Sequence, residues 1–118
     1  MDRTMMTSAI DMAHLDLYVC GDRALLEEIL TIFEEQAAMW VARLEPALPD
    51  EPWRNAAHAL KGASRGVGAW AIGDLCEHAE SLVGGVANKL GARKTFLNEL
   101  KACLEEAVED AQRIRRAA

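Results

Sequence analysis

The sequence is poor in basic residues and has no long hydrophobic run. Its 118 residues include 13 Lys and Arg against 19 Asp and Glu, a formal net charge of −6 at pH 7. Because nucleic-acid phosphates are bound mainly by Lys and Arg, this deficit argues against a nucleic-acid-binding protein. The longest charge-free apolar run, residues 37–42, is far shorter than the ~20 residues of a membrane-spanning helix. No secretory signal is visible at the start, so we predict a cytoplasmic protein.

Cysteine is also scarce. The three cysteines, Cys20, Cys76 and Cys103, are widely spaced and form no C-x-x-C pair. An odd number at this spacing argues against a disulfide framework and against a zinc knuckle. We therefore predict three reduced thiols, most of them buried.

Proline occurs only at positions 46, 49 and 52, and apolar residues elsewhere recur at three- and four-residue steps. This period is typical of amphipathic helices, with Asp22 as an N-cap and the prolines as a break. We predict a short helix from Thr7 or Ser8 to Tyr18 and longer helices over about 22–46, 51–67 and 92–116. A further helix is predicted from residue 72 to the Gly84–Gly85 pair, although its apolar stripe reaches Val86. The last segment, 92–116, ends in arginines, which suit the negative end of a helix dipole.

Four helices with one apolar face each bury those faces together most economically in an antiparallel bundle. We predict an all-α protein: an antiparallel four-helix bundle with a short additional N-terminal helix. It forms a single domain over residues 1–118, with residues 1–6 as a flexible tail. Trp40 and Trp53 lie on apolar stripes and are predicted to be core. Trp70 lies off its stripe, so it is equally expected to be buried or to be exposed near a docking surface.

His58 does not belong to the apolar face of its helix. At 100° per residue it lies about 160° from the centre of that face, so we expect it to face water. Lys61, Gly62 and Arg65 share its surface, with Arg54 one turn before. Glycine inside a helix costs about 0.5–1 kcal/mol relative to alanine, so Gly62 suggests that a bulky group approaches the ring closely.

The chemistry predicted for such a histidine is acceptance of a phosphoryl group. Near neutral pH an imidazole is largely uncharged and carries a free lone pair. Residues 50–68 carry a net charge of about +1 in an acidic chain, which favours an anion, and Lys61 would act as a mobile cation beside the ring. The other histidines lack these neighbours: His78 is expected at the core boundary, and the Asp11–His14 pair is too few ligands for a bundle metal site.

The residues around His58 read A-H-x-L-K-G-x-S-x-x-x-G-A from Ala57 to Ala69, and L-C-x-x-x-E follows from Leu75 to Glu80. This pattern closely resembles the signature of histidine-containing phosphotransfer (Hpt) domains of two-component phosphorelays. The resemblance implies a monomeric bundle in which His58 receives a phosphoryl group from the aspartate of one receiver domain and passes it to another. It assigns no family role to Trp70 or Gly73.

The resemblance also implies residue roles and partners. Lys61 would stabilise the phosphate and Gly62 would leave room for it, with the outer ring nitrogen, Nε2, as acceptor. The partners would be response-regulator receivers and hybrid histidine kinases. The chain would be a phosphocarrier without kinase activity or cofactor of its own, since Mg²⁺ comes with the receiver. We expect docking through a small apolar patch around His58 that involves the following residues: Arg54, Ala59, Ser64 and Arg65.

Two other functions remain open at this point. A helical bundle could sequester or inhibit a receiver or a histidine kinase with His58 never phosphorylated. Alternatively, the chain could be the dimerisation domain of a histidine kinase. The second would require a two-helix hairpin that pairs with another chain, which four amphipathic helices in one chain make unnecessary.

Overall fold

The computed structural model describes residues 9–117, and the regular structure in this range is entirely helical. The helices are α1 (Met12–Val19), α2 (Arg23–Arg43), α3 (Asp50–Gly66), α4 (Trp70–Glu80) and α5 (Lys89–Arg116). The contacts of α2 with α3, α3 with α4, α4 with α5 and α5 with α2 close a four-helix bundle, and α1 packs on α2. The all-α fold class is therefore confirmed, while the predicted tail over residues 1–6 lies outside the described residues.

Aspartates cap the first two helices. The carboxylate of Asp22 accepts a hydrogen bond from the Leu25 N–H, so the predicted N-cap of α2 is confirmed. Asp11 caps α1 in the same way by accepting from the His14 N–H. The helix predicted to begin at Thr7 or Ser8 therefore begins at Met12, and those two residues lie outside the described range.

The boundary between α4 and α5 differs from the prediction. The apolar stripe predicted a helix that continues towards Val86, but α4 ends at Glu80 and Val86 is exposed. Residues 81–88 form turns, with Gly84 and Asn88 in the left-handed region. Asn88 precedes α5, which begins at Lys89, three residues earlier than predicted. Its last turn carries the predicted arginines.

A buried arginine closes the end of the bundle where α3 begins. Arg93 is 1% exposed and packs its guanidinium 4.4 Å from the ring centroid of Trp53. It donates hydrogen bonds to the carbonyls of Pro46, Leu48 and Leu82 and to Asp50 Oδ1. This network joins the α2–α3 connection to the α4–α5 connection and so fixes the start of α3.

The tryptophans occupy three different environments. Trp53 is fully buried and donates its indole N–H to the Ala79 carbonyl, which confirms its predicted core position. Trp40 is only half-buried, so its predicted core position is partly wrong. Trp70 is 43% exposed and donates its indole N–H to Asp11 near α1.

The cysteines are free thiols, as predicted, but their burial varies. Cys76 is fully buried, and this burial raises the pKa of its thiol to about 12. Cys103 is half-buried, whereas Cys20 is exposed beyond the end of α1, so the prediction that the thiols are mostly buried is wrong for Cys20. Over residues 9–117, no helix has the length and apolar content needed to span a membrane.

Candidate functional site

His58 projects from the outer face of α3, as its angular position predicts. Its side chain is 71% exposed, while Leu60 on the opposite face of the helix is fully buried. The ring is held at one nitrogen: Nδ1 lies 3.0 Å from Oε2 of Glu80 on α4. Because a carboxylate accepts the Nδ1 proton, the lone pair of the neutral ring is on Nε2, the nitrogen free to react.

Glu80 is the site residue that sequence reasoning missed. The sequence motif contains it only as the last position of L-C-x-x-x-E, a spacing that by itself assigns it no role. The structure places its side chain, 21% exposed, next to Nδ1 of the His58 ring. Burial tends to raise the pKa of Glu80, but hydrogen bonds from Lys61 and His58 outweigh it, so this pKa lies below its ordinary value. Glu80 is thus an anion beside the ring.

Lys61 is held by the same carboxylate. Its Nζ lies 3.0 Å from Glu80 Oε2 and 3.9 Å from Glu77 Oε1, and its side chain is only 17% exposed. The expectation of a mobile cation is therefore wrong for the unphosphorylated protein, because α4 supplies two carboxylates that hold the ammonium group. Since Lys61 and His58 share one Glu80 oxygen, the cation still lies beside the ring.

Arg65 continues this row of charges along the contact between α3 and α4. Its guanidinium lies 3.1 Å from Glu77 Oε1 and 3.3 Å from Asp74 Oδ1. Gly73 makes room for it, since a Cβ at Gly73 would lie 2.7 Å from Arg65 Cγ. The positive charge of α3 is thus balanced by three carboxylates of α4, so the predicted anion-attracting field is largely neutralised on this side.

The other side of His58 is open and lined by small residues. A Cβ built on Gly62 or Gly66 meets nothing within 4 Å, so neither glycine is required by contacts inside the described chain. Both line a hollow of about 230 Å³ between α2 and α3, whose apolar wall on α2 includes Phe33 and Ile32, the latter 45% exposed. The clearance argued for Gly62 is therefore present in the structure.

The four predicted docking residues are not all at the surface. Arg54 is exposed one turn before His58, Ala59 is half-buried beside the ring, and Arg65 is half-buried in its ion pairs. Ser64 is 0% exposed on the buried face of α3, so its assignment to the docking surface is wrong. The motif suggested Ser64, but its position on the apolar stripe of α3 determines its burial.

The remaining histidines take no part in this site. His14 packs edge-on between the rings of Tyr18 and Trp70. His78 is exposed and borders a groove between α4 and α5. Across residues 9–117, no three metal-ligating side chains converge on one point.

Comparison with known proteins identifies the family of this chain. The sequence profile of the Hpt domain matches residues 28–117, and the chain belongs to the Hpt domain family. Proteins of this family act in phosphotransfer in two-component systems and interact with receiver domains and histidine kinases.

One solved structure is similar over most of the chain. It is the histidine phosphotransferase ShpA from Caulobacter crescentus, at 37% sequence identity and a TM-score of 0.60, and the match covers 90% of this chain and 97% of that one. Comparison with curated proteins gives no match.

Proposed function

We propose that His58 carries a phosphoryl group between receiver domains, as a phosphocarrier without kinase activity. It accepts the group at Nε2 from the aspartyl phosphate of one receiver and gives it to the aspartate of another. The observation that carries this proposal is the exposed ring whose Nδ1 is bound to Glu80, which leaves Nε2 as the outward nucleophile.

The transfer step exchanges one bond to phosphorus for another. The Nε2 lone pair attacks phosphorus, the P–O bond to the receiver aspartate breaks, and that carboxylate leaves with the electron pair. The ring becomes positively charged because its Nδ1 proton stays in place. Glu80, 3.0 Å from Nδ1, stabilises this charge as it develops. The second transfer is the same step in reverse, with a new carboxylate as attacking group.

Lys61 neutralises phosphoryl oxygens in this proposal. In the unphosphorylated protein its ammonium group is bound to Glu80, next to the ring. A phosphoryl group on Nε2 brings further negative charge to the same place, and the flexible lysine side chain can turn towards it. This chain supplies no metal ligand in the proposal, since Mg²⁺ comes with the receiver.

The receiver docks on the side of α3 that faces α2. Gly62 and Gly66 leave space there, and the neighbouring hollow presents apolar wall residues such as Ile32. Exposed apolar surface next to a reactive group is typical of a protein interaction site. Arg54, at the rim, would mainly affect the rate of encounter.

The test is transfer of label from a phosphorylated receiver. His58→Gln is expected to keep the wild-type unfolding midpoint, because the side chain is largely exposed, and to take up no label. His78→Gln, an exposed histidine on the adjacent helix, is the matched control and should label normally. Labelling of the His58→Gln protein would overturn the proposal. Stable complex formation with a receiver but no label on the wild-type protein would favour the sequestering module instead.

A further inference from the structure

A second hollow lies on the same side of α3, before His58 rather than after it. It has a volume of about 570 Å³, and its wall includes Trp40 and Arg43 of α2, Glu45 and Leu48 of the connection, and Pro52 and Asn55 of α3. At 100° per residue, Pro52, Asn55, Gly62 and Gly66 all lie about 40–120° from His58 in the same direction around α3. These four residues therefore lie on one side of the reactive ring, two of them in each hollow and towards opposite ends of the helix.

A typical protein interface is large enough for the receiver that docks at His58 to reach this second hollow. A specific interface covers about 800 Å² on each partner, a disc of about 16 Å radius. Asn55 and Pro52 precede His58 by three and six residues, which is about 4.5 and 9 Å along the helix axis. A receiver centred on His58 and docked on this side of α3 would therefore reach Asn55 and Pro52, the α3 wall of the second hollow.

The second hollow combines an apolar surface with an exposed positive charge, which suits recognition of a particular partner. The Arg43 guanidinium lies 5.1 Å from the ring centroid of Trp40, so a cation–π contact holds it at the edge of an apolar floor. Arg43 is exposed and belongs to no ion pair among residues 9–117. Trp and Arg are the residues most often found where interface energy is concentrated.

We infer that this hollow, called here the Trp40 pocket and formed by the wall residues named above, selects the receiver. It takes an apolar side chain of the receiver, and Arg43 pairs with a receiver carboxylate beside that side chain. The inference rests on the proposed function, because the receiver is the partner brought to His58. Lys61 and Glu80 then serve the transfer reaction with any receiver, whereas the Trp40 pocket distinguishes one receiver from another.

Transfer kinetics test the inference. The receivers encoded by the source genome are phosphorylated and ranked by their rate of transfer to the wild-type chain. For the fastest one, Arg43→Glu is expected to lower kcat/KM about tenfold or more through a higher KM, with kcat unchanged, since a surface charge acts on association. Arg116→Glu, the same charge change on an exposed residue in the last turn of α5, is the control and should transfer at the wild-type rate.

Trp40→Ala is expected to lower kcat/KM by a similar factor by removing the apolar wall. If Trp40→Ala unfolds, Arg43→Glu decides alone, because Arg43 is at the surface. Wild-type kinetics for Arg43→Glu would overturn the inference. Phosphoramidate, a small phosphoryl donor for histidine, separates this failure from failure of the proposed function, because it needs no receiver. It should label His58 equally in every variant. Absence of label from both phosphoramidate and all receivers would overturn the proposed function.

Indole resonances give a direct readout of contact. The unphosphorylated receiver is added to ¹⁵N-labelled protein, and the Trp40 N–H signal is expected to shift. Trp70, whose indole is bound to Asp11, and the buried Trp53 are internal controls and should stay in place. A Trp40 shift that depends on the chain's own concentration without receiver would assign the pocket to a second copy and overturn the inference.

Discussion

At the scale of single residues, the proposed transfer depends on one carboxylate oxygen. Oε2 of Glu80 lies 3.0 Å from both His58 Nδ1 and Lys61 Nζ. It therefore fixes the ring tautomer and holds the cation that a phosphoryl group would need. Glu80 is a positioning residue in this account, since it acts on phosphorus only through the ring and the lysine.

Glu80→Ala removes the acceptor for the Nδ1 proton and releases Lys61. We expect transfer to slow about 10- to 100-fold, the effect of losing one hydrogen bond to a charged group, ~1.5–3 kcal/mol. Glu80→Gln keeps an acceptor oxygen without the charge and should fall between Ala and wild type. The rate of label transfer measures both changes.

A readout specific to positioning is the ring tautomer. ¹⁵N NMR of His58 should show mainly the Nδ1–H form in the wild type and a mixture in Glu80→Ala. Glu77→Gln removes a neighbouring carboxylate that contacts Lys61 and Arg65 but not His58, so it is the control. An unchanged tautomer ratio in Glu80→Ala would contradict the positioning role.

At the scale of elements, α3 presents two different sides. The side towards α4 is occupied by ion pairs, from His58 and Glu80 through Lys61 to Arg65 and Asp74. The side towards α2 is lined by small residues and is open. His58 stands between them, so one neighbouring helix tunes the ring and the other leaves access to it.

Two glycines test this division, since Gly62 faces the open side and Gly73 faces Arg65. Gly62→Ala is expected to raise stability by up to ~1 kcal/mol through helix propensity, because nothing lies within 4 Å of the new Cβ. Gly73→Ala should show no such gain, because its Cβ would lie 2.7 Å from Arg65 Cγ and displace that side chain. Urea unfolding measures both differences.

The rate of phosphoryl transfer gives a second test of the open side at Gly62. Gly62→Leu fills the open side and should slow transfer from a receiver while leaving the protein folded. Equal stability changes at the two glycines would argue against the packing described here. Unchanged transfer in Gly62→Leu would argue against docking on that side.

Most of this arrangement could be predicted from the period of the sequence. The position of His58 and the clearance at Gly62 depend only on rotation about one helix, so the pattern of α3 was sufficient. The ion pairing of Lys61 was not predictable, because Glu80 lies 19 residues further along the chain on another helix. The predicted end of α4 was also wrong: Val83 continues the apolar spacing, but the helix ends at Glu80, and Gly84 and Asn88 adopt left-handed backbone in the turns that follow.

At the scale of the whole molecule, the end of the bundle near the start of α3 is held by charges. Asp50 accepts hydrogen bonds from Lys89 Nζ, the Gly84 N–H and Arg93. The hydrogen bond from Lys89, with help from that of Gly84 and the charges of Lys89 and Arg93, lowers the pKa of Asp50 to about 2 from an ordinary value of 3.8. The ionised carboxylate is thus favoured by folding.

This shift predicts the direction of acid sensitivity. A carboxylate with a lowered folded-state pKa stabilises the fold above its unfolded pKa, and that stability is lost as pH falls from about 3.8 towards 2. Asp50→Asn should therefore be less stable than wild type at pH 7 and show a flatter dependence of stability on pH over this window. Urea unfolding at several pH values measures the dependence.

Glu105→Gln, an exposed carboxylate of α5, provides the control and should follow the wild-type curve. Glu80 has a pKa lowered in the same direction, so some acid sensitivity remains in Asp50→Asn. Identical curves for Asp50→Asn and wild type would show that the network contributes nothing to the pH dependence.

The central claim concerns one atom, Nε2 of His58. After transfer from a phosphorylated receiver, NMR of ³¹P and ¹⁵N in the labelled protein identifies which ring nitrogen carries phosphorus. The account predicts a single phosphohistidine, at His58, with phosphorus on Nε2 and the proton retained on Nδ1. Phosphorus on Nδ1, or on His14 or His78 instead, would contradict it.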